Sequence, residues 1–414
     1  MVPSAGGELD SPGRRQVPRR SFLKGLGMAG ATLLPASALL VNQAKAMPGD
    51  DSGGKLSKGD ASILRFLCAA EILESDLWEQ YWELGGLQPG APQTTNKDFA
   101  STNPATPGAK PKITGGNTPY TNGLLILDGD MPQYIQDNTD DEFSHANFLL
   151  AYLKSKGADT SDIDLLVGSH FRTLTTQANG TPISSTATGS TQKPRLTNLT
   201  QLTIDTSFWG RYRTDNANPD LGGTGFAEAV PSLNVGLHTA IPRTDADAMN
   251  HDLIIAIAYT AGFHFPFIEI GGTSLYARLA QRAHDVEVLR ILFSIGPTEA
   301  MHFQTWQDKA GNADPTQFTK QPVVDPTNNN STVTFTDLHA SIDEKLQANL
   351  IMPEPTPFLS KNLPICSIIR PTETTGAAMD AVTALRTNGL FIGQTPEFFQ
   401  LLQDLASDAD AAKG

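Results

Sequence analysis

Two residue pairs in this 414-residue chain have the types and the spacing to bind metal: Glu142-x-x-His145 and Glu299-x-x-His302. A separation of three puts carboxylate and imidazole on one face of an α-helix, aimed together at whatever that face buries. The second pair lies in ILFSIGPTEAMHFQTW, Ile291 to Trp306, where the pattern is otherwise largely apolar. A buried carboxylate needs a partner, and a metal ion is the partner that also uses the neighbouring imidazole. The chain holds 14 Glu and 8 His. Random placement gives ~0.3 such pairs, so finding two is a pattern rather than an accident.

Two E-x-x-H helices are half of a four-helix di-metal carboxylate site, and the other half is one glutamate from each of two further helices. The stretch DASILRFLCAAEILESDLWEQYWELGG reads as one of these, with Asp60 as N-cap and Gly85-Gly86 as the stop. From Ala61 to Leu73 only Ser62, Arg65 and Glu71 interrupt its apolar residues. Glu71 therefore falls where an unpaired carboxylate is costly. Glu74, one turn on, competes for the role and is otherwise a supporting or solvated residue. The second lone glutamate is Glu269, the single carboxylate between Asp252 and Asp285, set among Phe267, Ile268 and Ile270. Pro266 predicts a kink or break just before it, and Gly271-Gly272 a close helix approach or another bend.

The paired residues need their own helices. Asp130 as N-cap and Pro132 in the first turn predict a helix from about Met131 to Lys156 that carries Glu142 and His145. Thr139-x-x-Glu142 also fits a capping box, which would start a shorter helix at that point. The fourth helix runs from about Asp285 to Lys309, with Pro297 marking a distortion that re-aims the ligands. In this scheme Glu142 and Glu299 bridge two iron or two manganese ions, Glu71 and Glu269 are terminal, and His145 and His302 bind one ion each. His170, His238, His251 and His264 have no carboxylate in helical register and read as structural or surface residues. The competing account, four glutamates satisfied in the core or ending shorter helices, has to find them Arg or Lys partners, and none stands in register.

Around these elements, residues 1–46 carry RRSFLK at Arg19–Lys24, an apolar run from Leu26 to Val41 and Ala44-Lys45-Ala46, the pattern of a twin-arginine signal cleaved after Ala46. Export as a folded protein to the periplasm, or another site outside the cytoplasm, with the twin-arginine machinery as partner, is the expectation. Residues 1–46 have a net charge of +4, so the −14 of the whole chain leaves about −18 on the remainder. That charge argues against nucleic acid and anionic membrane surfaces as partners. No second long apolar run is evident, so no stable membrane insertion is expected. Two cysteines, Cys68 and Cys366, do not make a disulfide scaffold, although one bridge is allowed. A linker follows at 47–59, the bundle spans 60–310 with insertions at about 87–129 and 158–244, and 311–414 forms an extension packing on the bundle. Within the second insertion RLTNLTQLTIDTSFWGRYRT predicts one or two short strands. Another short strand is expected around Ser331 to Phe335, and a final helix from Thr395 to Ala409.

AAEILESDLWEQYWELGG, DEFSHANFLLAYL, FPFIEIGGTSLYA and PTEAMHFQTW resemble the helices of ferritin-like domain proteins, a group that includes desiccation-related and stress-response members, many of them bacterial with twin-arginine signals. The resemblance covers residues 60–84, 131–157 and 246–309, under half of the chain. It implies a mainly α protein built on a ferritin-like four-helix bundle, with the six residues above at the family's metal positions one by one. The insertions and the tail depart from ferritin proper, and their bulk argues against a cage and iron storage. The expected activity is a redox reaction on O2 or peroxide, with manganese-catalase-like disproportionation the first subtype, in a chain that could form a homo-oligomer. The alternative is a non-catalytic envelope or stress-protection protein whose metals only tie the bundle together.

Overall fold

The computed structural model describes residues 54–88, 115–175, 183–211, 226–343, 345–348, 351–369 and 377–412. The signal and most of the linker expected before Gly54 lie outside the described residues. So does 89–114, most of the first insertion. Residues from Lys55 onward form one compact unit.

The protein is mainly α-helical. Four long helices dominate it: α1 (Lys58–Gly85), α3 (Met131–Ser155), α7 (His251–Ala280) and α8 (Val286–Ala310). Shorter helices are α2 (Thr118–Leu127), α4 (Ser161–Val167), α5 (Phe208–Arg211), α6 (Asp245–Met249), α9 (Ala378–Thr387) and α10 (Pro396–Asp410). Two small antiparallel sheets complete the description. One pairs β1 (Val323–Asp325) with β2 (Ser331–Val333), in the register Val323 to Val333. The other pairs β3 (Pro355–Thr356) with β4 (Cys366–Ser367), in the register Pro355 to Ser367.

The long helices pack as two antiparallel pairs. Along α1 and α3, the Cys68 thiol faces the Ala146 carbonyl, and Trp82 Nε1 donates to Gln136 Oε1 at 2.5 Å. Residue numbers rise along one helix as they fall along the other. Glu269 meets His302 and Phe265 meets Trp306, giving α7 and α8 the same relation across the turn at Gln281–Asp285. The two pairs join through aromatic rings: Trp78 stacks on Trp306 with centroids 5.3 Å apart and lies against Phe265 at 4.9 Å. These rings are fully buried, and burying each contributes on the order of 2–3 kcal/mol.

Several expected boundaries move, each for an identifiable reason. The first helix starts at Lys58 because Ser57, not Asp60, is its N-cap: Asp60 N donates to Ser57 Oγ at 3.0 Å. Asp60 instead accepts the His284 and Asp285 amides in the α7–α8 turn, tying α1 to that hairpin. The capping box at Thr139 does not form: Thr139 lies inside α3 and donates to the Ile135 carbonyl. Neither proline ends a helix, for α7 runs through Pro266 and α8 through Pro297. The first insertion contains helix α2. The Thr-rich segment makes isolated bridges, Leu174 to Arg195 and Leu202 to His238, rather than strands. Its amides are taken elsewhere: Leu196 N and Thr197 N donate to the Asp76 carboxylate on α1.

Helix α7 is long and apolar enough to cross a membrane by length and composition, which the sequence reading did not anticipate, but 94% of that stretch is buried inside the protein. It is the central core helix. The C-terminal segment packs on the core through α10, capped by Thr395. Asp410 accepts the Ala378 and Met379 amides and pairs with Arg282, fastening α9 and α10 to the end of α7. Cys68 is a buried free thiol and Cys366 an exposed one.

Candidate metal centre

All six sequence-predicted ligands come together between the two helix pairs. Two groups of four are close enough to hold a metal ion: Glu71, Glu142, His145 and Glu299, and Glu142, Glu269, Glu299 and His302. In each group one ligand atom per residue lies within 4.8 Å of the others. Glu142 and Glu299 belong to both groups, the position a bridging carboxylate occupies. Each E-x-x-H face points both of its side chains inward, as the spacing predicts. His145 Nδ1 lies 3.2 Å from Glu142, 3.3 Å from Glu299 and 3.5 Å from Glu71. His302 Nδ1 lies 3.0 Å from Glu142 and 3.2 Å from Glu269. The imidazoles face each other across the cluster with centroids 6.4 Å apart.

Groups that the sequence did not single out hold these ligands. Asn138, one turn before Glu142, donates from Nδ2 to Glu142 Oε1 at 2.8 Å and to Glu269 Oε1 at 3.0 Å. Trp306 Nε1 donates to Asn138 Oδ1 at 2.6 Å, which fixes the amide's orientation. The Tyr276 hydroxyl donates to Glu71 Oε1. The outer nitrogen of His302, Nε2, lies 3.0 Å from Asp141 Oδ2, the carboxylate-to-imidazole contact that orients a metal-binding histidine. Asn138 was legible as a polar residue four before Glu142 on the same helix face. Tyr276 carries no such signal, because only the packing of α7 on α1 brings it to Glu71.

The backbone permits the crowding. Gly272 on α7 faces Glu299, and a Cβ there would lie 2.7 Å from Glu299 Oε2. Of the two outcomes expected at Gly271-Gly272, the close approach is the one present, within a helix that runs on to Ala280.

The cluster's charge is not balanced as protein carboxylates usually are. Farther along α1, buried Glu79 and Glu83 share the buried guanidinium of Arg195, at 3.0 and 2.6 Å, and Lys193 reaches Glu79 at 2.5 Å. Asp76 takes Arg172 at 2.5 Å. No Arg or Lys pairs with Glu71, Glu142, Glu269 or Glu299 among the described residues. Apart from the His145 contacts at 3.3 and 3.5 Å, both oxygens of Glu299 and Oε2 of Glu71 are buried without a hydrogen-bond partner. Glu299 is 1% exposed and Glu71 2%, so the desolvation cost is large.

Protons answer part of that cost. Burial pushes the Glu71 carboxyl up to about 8, with Glu299 adding to the rise and His145 opposing it. Burial likewise pushes Glu299 up to about 8, reinforced by Glu142, and raises Glu269. For Glu142 burial acts upward too, but His145 and His302 outweigh it and hold the carboxyl below its ordinary range. Burial would lower both imidazoles, yet the surrounding carboxylates raise them well above the usual histidine value. Cations among the carboxylates oppose the upward shifts of Glu71, Glu269, Glu299 and both histidines, and reinforce the downward one of Glu142. Hard oxygen donors with two imidazoles suit iron or manganese.

Glu74 is the exception among the nearby acids. It is partly exposed as a residue, its Oε1 is buried without a donor, and it belongs to neither group of four. Burial, together with the cluster carboxylates, raises its carboxyl. The remaining histidines behave as structural or surface residues. His238 is buried with Nε2 3.0 Å from the Ser232 and Val235 carbonyls. His264, fully buried, lies 2.7 Å from the Tyr81 hydroxyl and is kept neutral by burial, its value pushed down to about 3. His251 and His170 are exposed.

Comparison with models of known protein families, with curated proteins and with solved structures returned no significant match.

Proposed function

We propose that this chain is an exported ferritin-like protein whose four-helix bundle holds two iron or two manganese ions and uses them in a redox reaction with O2 or peroxide. One observation carries this reading: on a single helix, Glu79 and Glu83 have a buried arginine, whereas Glu71 and the three carboxylates around it have no Arg or Lys partner among the described residues and share two histidines. Glu71 with His145 would hold one ion, Glu269 with His302 the other, and Glu142 and Glu299 would bridge.

The ions, when bound, supply Lewis acidity and electrons to a small oxidant. The chain's own residues do the rest. Asn138 keeps Glu142 and Glu269 in register, and Asp141 fixes the His302 ring. Tyr276 keeps its proton and donates a hydrogen bond from its hydroxyl to Glu71 Oε1. The helix core excludes bulk water from all six residues, none more than 9% exposed. The proposal is tested by loading the purified chain with Fe(II) or Mn(II) and measuring O2 uptake and peroxide loss beside a Glu299→Ala/His302→Ala variant. Turnover by the parent alone supports it. Metal retained without turnover on either oxidant would leave a site that only ties the helices together.

A further inference from the structure

A cavity of about 440 Å³ lies beside the carboxylate cluster, between α1, α7 and the C-terminal helices. Its walls are mostly apolar, with Phe66, Leu73, Phe208, Leu275, Val382 and Leu402 among them. That volume and lining are those of a small-molecule site.

Two lining residues connect it to the centre. Gly272 lines the cavity, and a Cβ on it would lie 2.7 Å from Glu299 Oε2, so at this point no side chain intervenes between cavity and cluster. Glu74 lines it too, and its buried Oε1 receives no hydrogen bond. The lining also fixes the charge of an occupant. Its two guanidiniums already face carboxylates, Arg278 with Asp380 at 2.5 Å and Arg211 with Asp205 at 3.7 Å. An organic anion would therefore meet paired guanidiniums and the Glu74 carboxyl, with no further Arg or Lys in the described lining to receive it.

We propose that the cavity binds a neutral aliphatic molecule bearing one hydroxyl-type end group, the hydroxyl donating to Glu74 and the chain lying along the apolar walls. This deepens the function proposed above, on which its catalytic meaning rests, by naming the class of organic substrate held beside the metals. Binding itself requires no metal, because none of the wall residues named is a ligand.

The test is calorimetric titration of the full chain with 1-octanol and with octanoate, before and after metal removal by chelation. Octanol should saturate a single site in both preparations, and octanoate should bind at least tenfold more weakly. Ala381→Trp, on α9 in the cavity wall, should weaken octanol at least tenfold while metal content stays at the parent value. Ala384→Trp on the same helix serves if that variant does not fold. Glu74→Leu should remove most of the preference for octanol over octanoate. A chain that binds no metal but still takes up octanol would overturn the redox function and keep the pocket. No saturable octanol binding, unchanged affinity in the tryptophan variants, or octanoate binding as tightly as octanol would overturn the pocket.

Discussion

Gly272 and Glu299 stand so close across the α7–α8 pair that a methyl group on the glycine would lie 2.7 Å from the carboxylate oxygen. The neighbouring Gly271 meets nothing within 4 Å. The two glycines therefore separate ligand geometry from helix stability. Gly271→Ala should stabilise the protein by about 0.5–1 kcal/mol through helix propensity and leave metal content unchanged. Gly272→Ala should keep its fold, because the end of a flexible Glu side chain yields, but should lose metal affinity at least tenfold. Thermal unfolding and metal titration of both variants check this, and equal metal affinity in the two would contradict it.

Asn138 spans two ligands, so its loss should be felt at the metals first. Asn138→Ala frees Glu142 Oε1 and Glu269 Oε1 from their common donor and leaves Trp306 Nε1 without its acceptor. Metal affinity should fall by about 10- to 100-fold, the usual effect of removing a group that orients ligands. Competition with a chromogenic chelator measures it.

The two sets of buried carboxylates on α1 should respond oppositely to mutation. Arg195→Leu leaves Glu83 without its cation and Glu79 with Lys193 alone, and should cost about 3–5 kcal/mol in denaturant unfolding. Glu71→Gln in metal-free protein should cost less than ~1 kcal/mol, since the glutamine retains the shape of a carboxyl that is largely protonated at neutral pH. Metal binding should reverse the ranking, surviving at the native state of Arg195→Leu and failing in Glu71→Gln.

Metal-free protein should lose stability as pH rises. Glu71 and Glu299 move from an ordinary 4.5 to about 8 on folding, so between those values the folded chain holds protons that the unfolded chain releases. Their contribution is complete below pH 4.5 and is lost as pH rises through about 8. The raised histidines have the same sign, lost above their folded values. Glu142, depressed on folding, contributes in the opposite sense and is lost in acid. Each fully shifted group contributes a slope of ~1.4 kcal/mol per pH unit. Unfolding free energies of chelator-treated protein should decline from about pH 5 to 8, whereas the stabilisation by added metal should grow as protons leave the ligands. A flat profile would contradict the burial of these carboxyls.

Much of the centre was legible because its information is local. Glu142 with His145 and Glu299 with His302 declare a shared helix face through spacing, and Glu71 and Glu269 stand out as carboxylates in apolar stretches. What remained hidden depends on distant partners. Asp60 looked like a cap for its own helix, but its carboxylate is used by the amides of His284 and Asp285. Thr139 matched a capping box, yet Asp130 begins the helix two turns earlier and the hydroxyl bonds back to Ile135. Pro266 suggested a kink or break and Pro297 a distortion within its helix, yet both lie inside continuous helices, Pro266 buried in the core and Pro297 on an exposed face. The Thr-rich stretch had strand composition, while its Leu196 and Thr197 amides go to Asp76. Helix α9 carries no local signal, because its pattern is short and interrupted and the carboxylate that caps it, Asp410, lies 32 residues beyond Ala378.

The most direct test of the central claim is elemental analysis of the purified protein beside its Glu299→Ala/His302→Ala variant. The account predicts about two iron or manganese per parent chain and a loss of both in the variant, which removes one bridging carboxylate and one imidazole. No bound iron or manganese in the parent after loading, with a variant as stable as the parent, would contradict it.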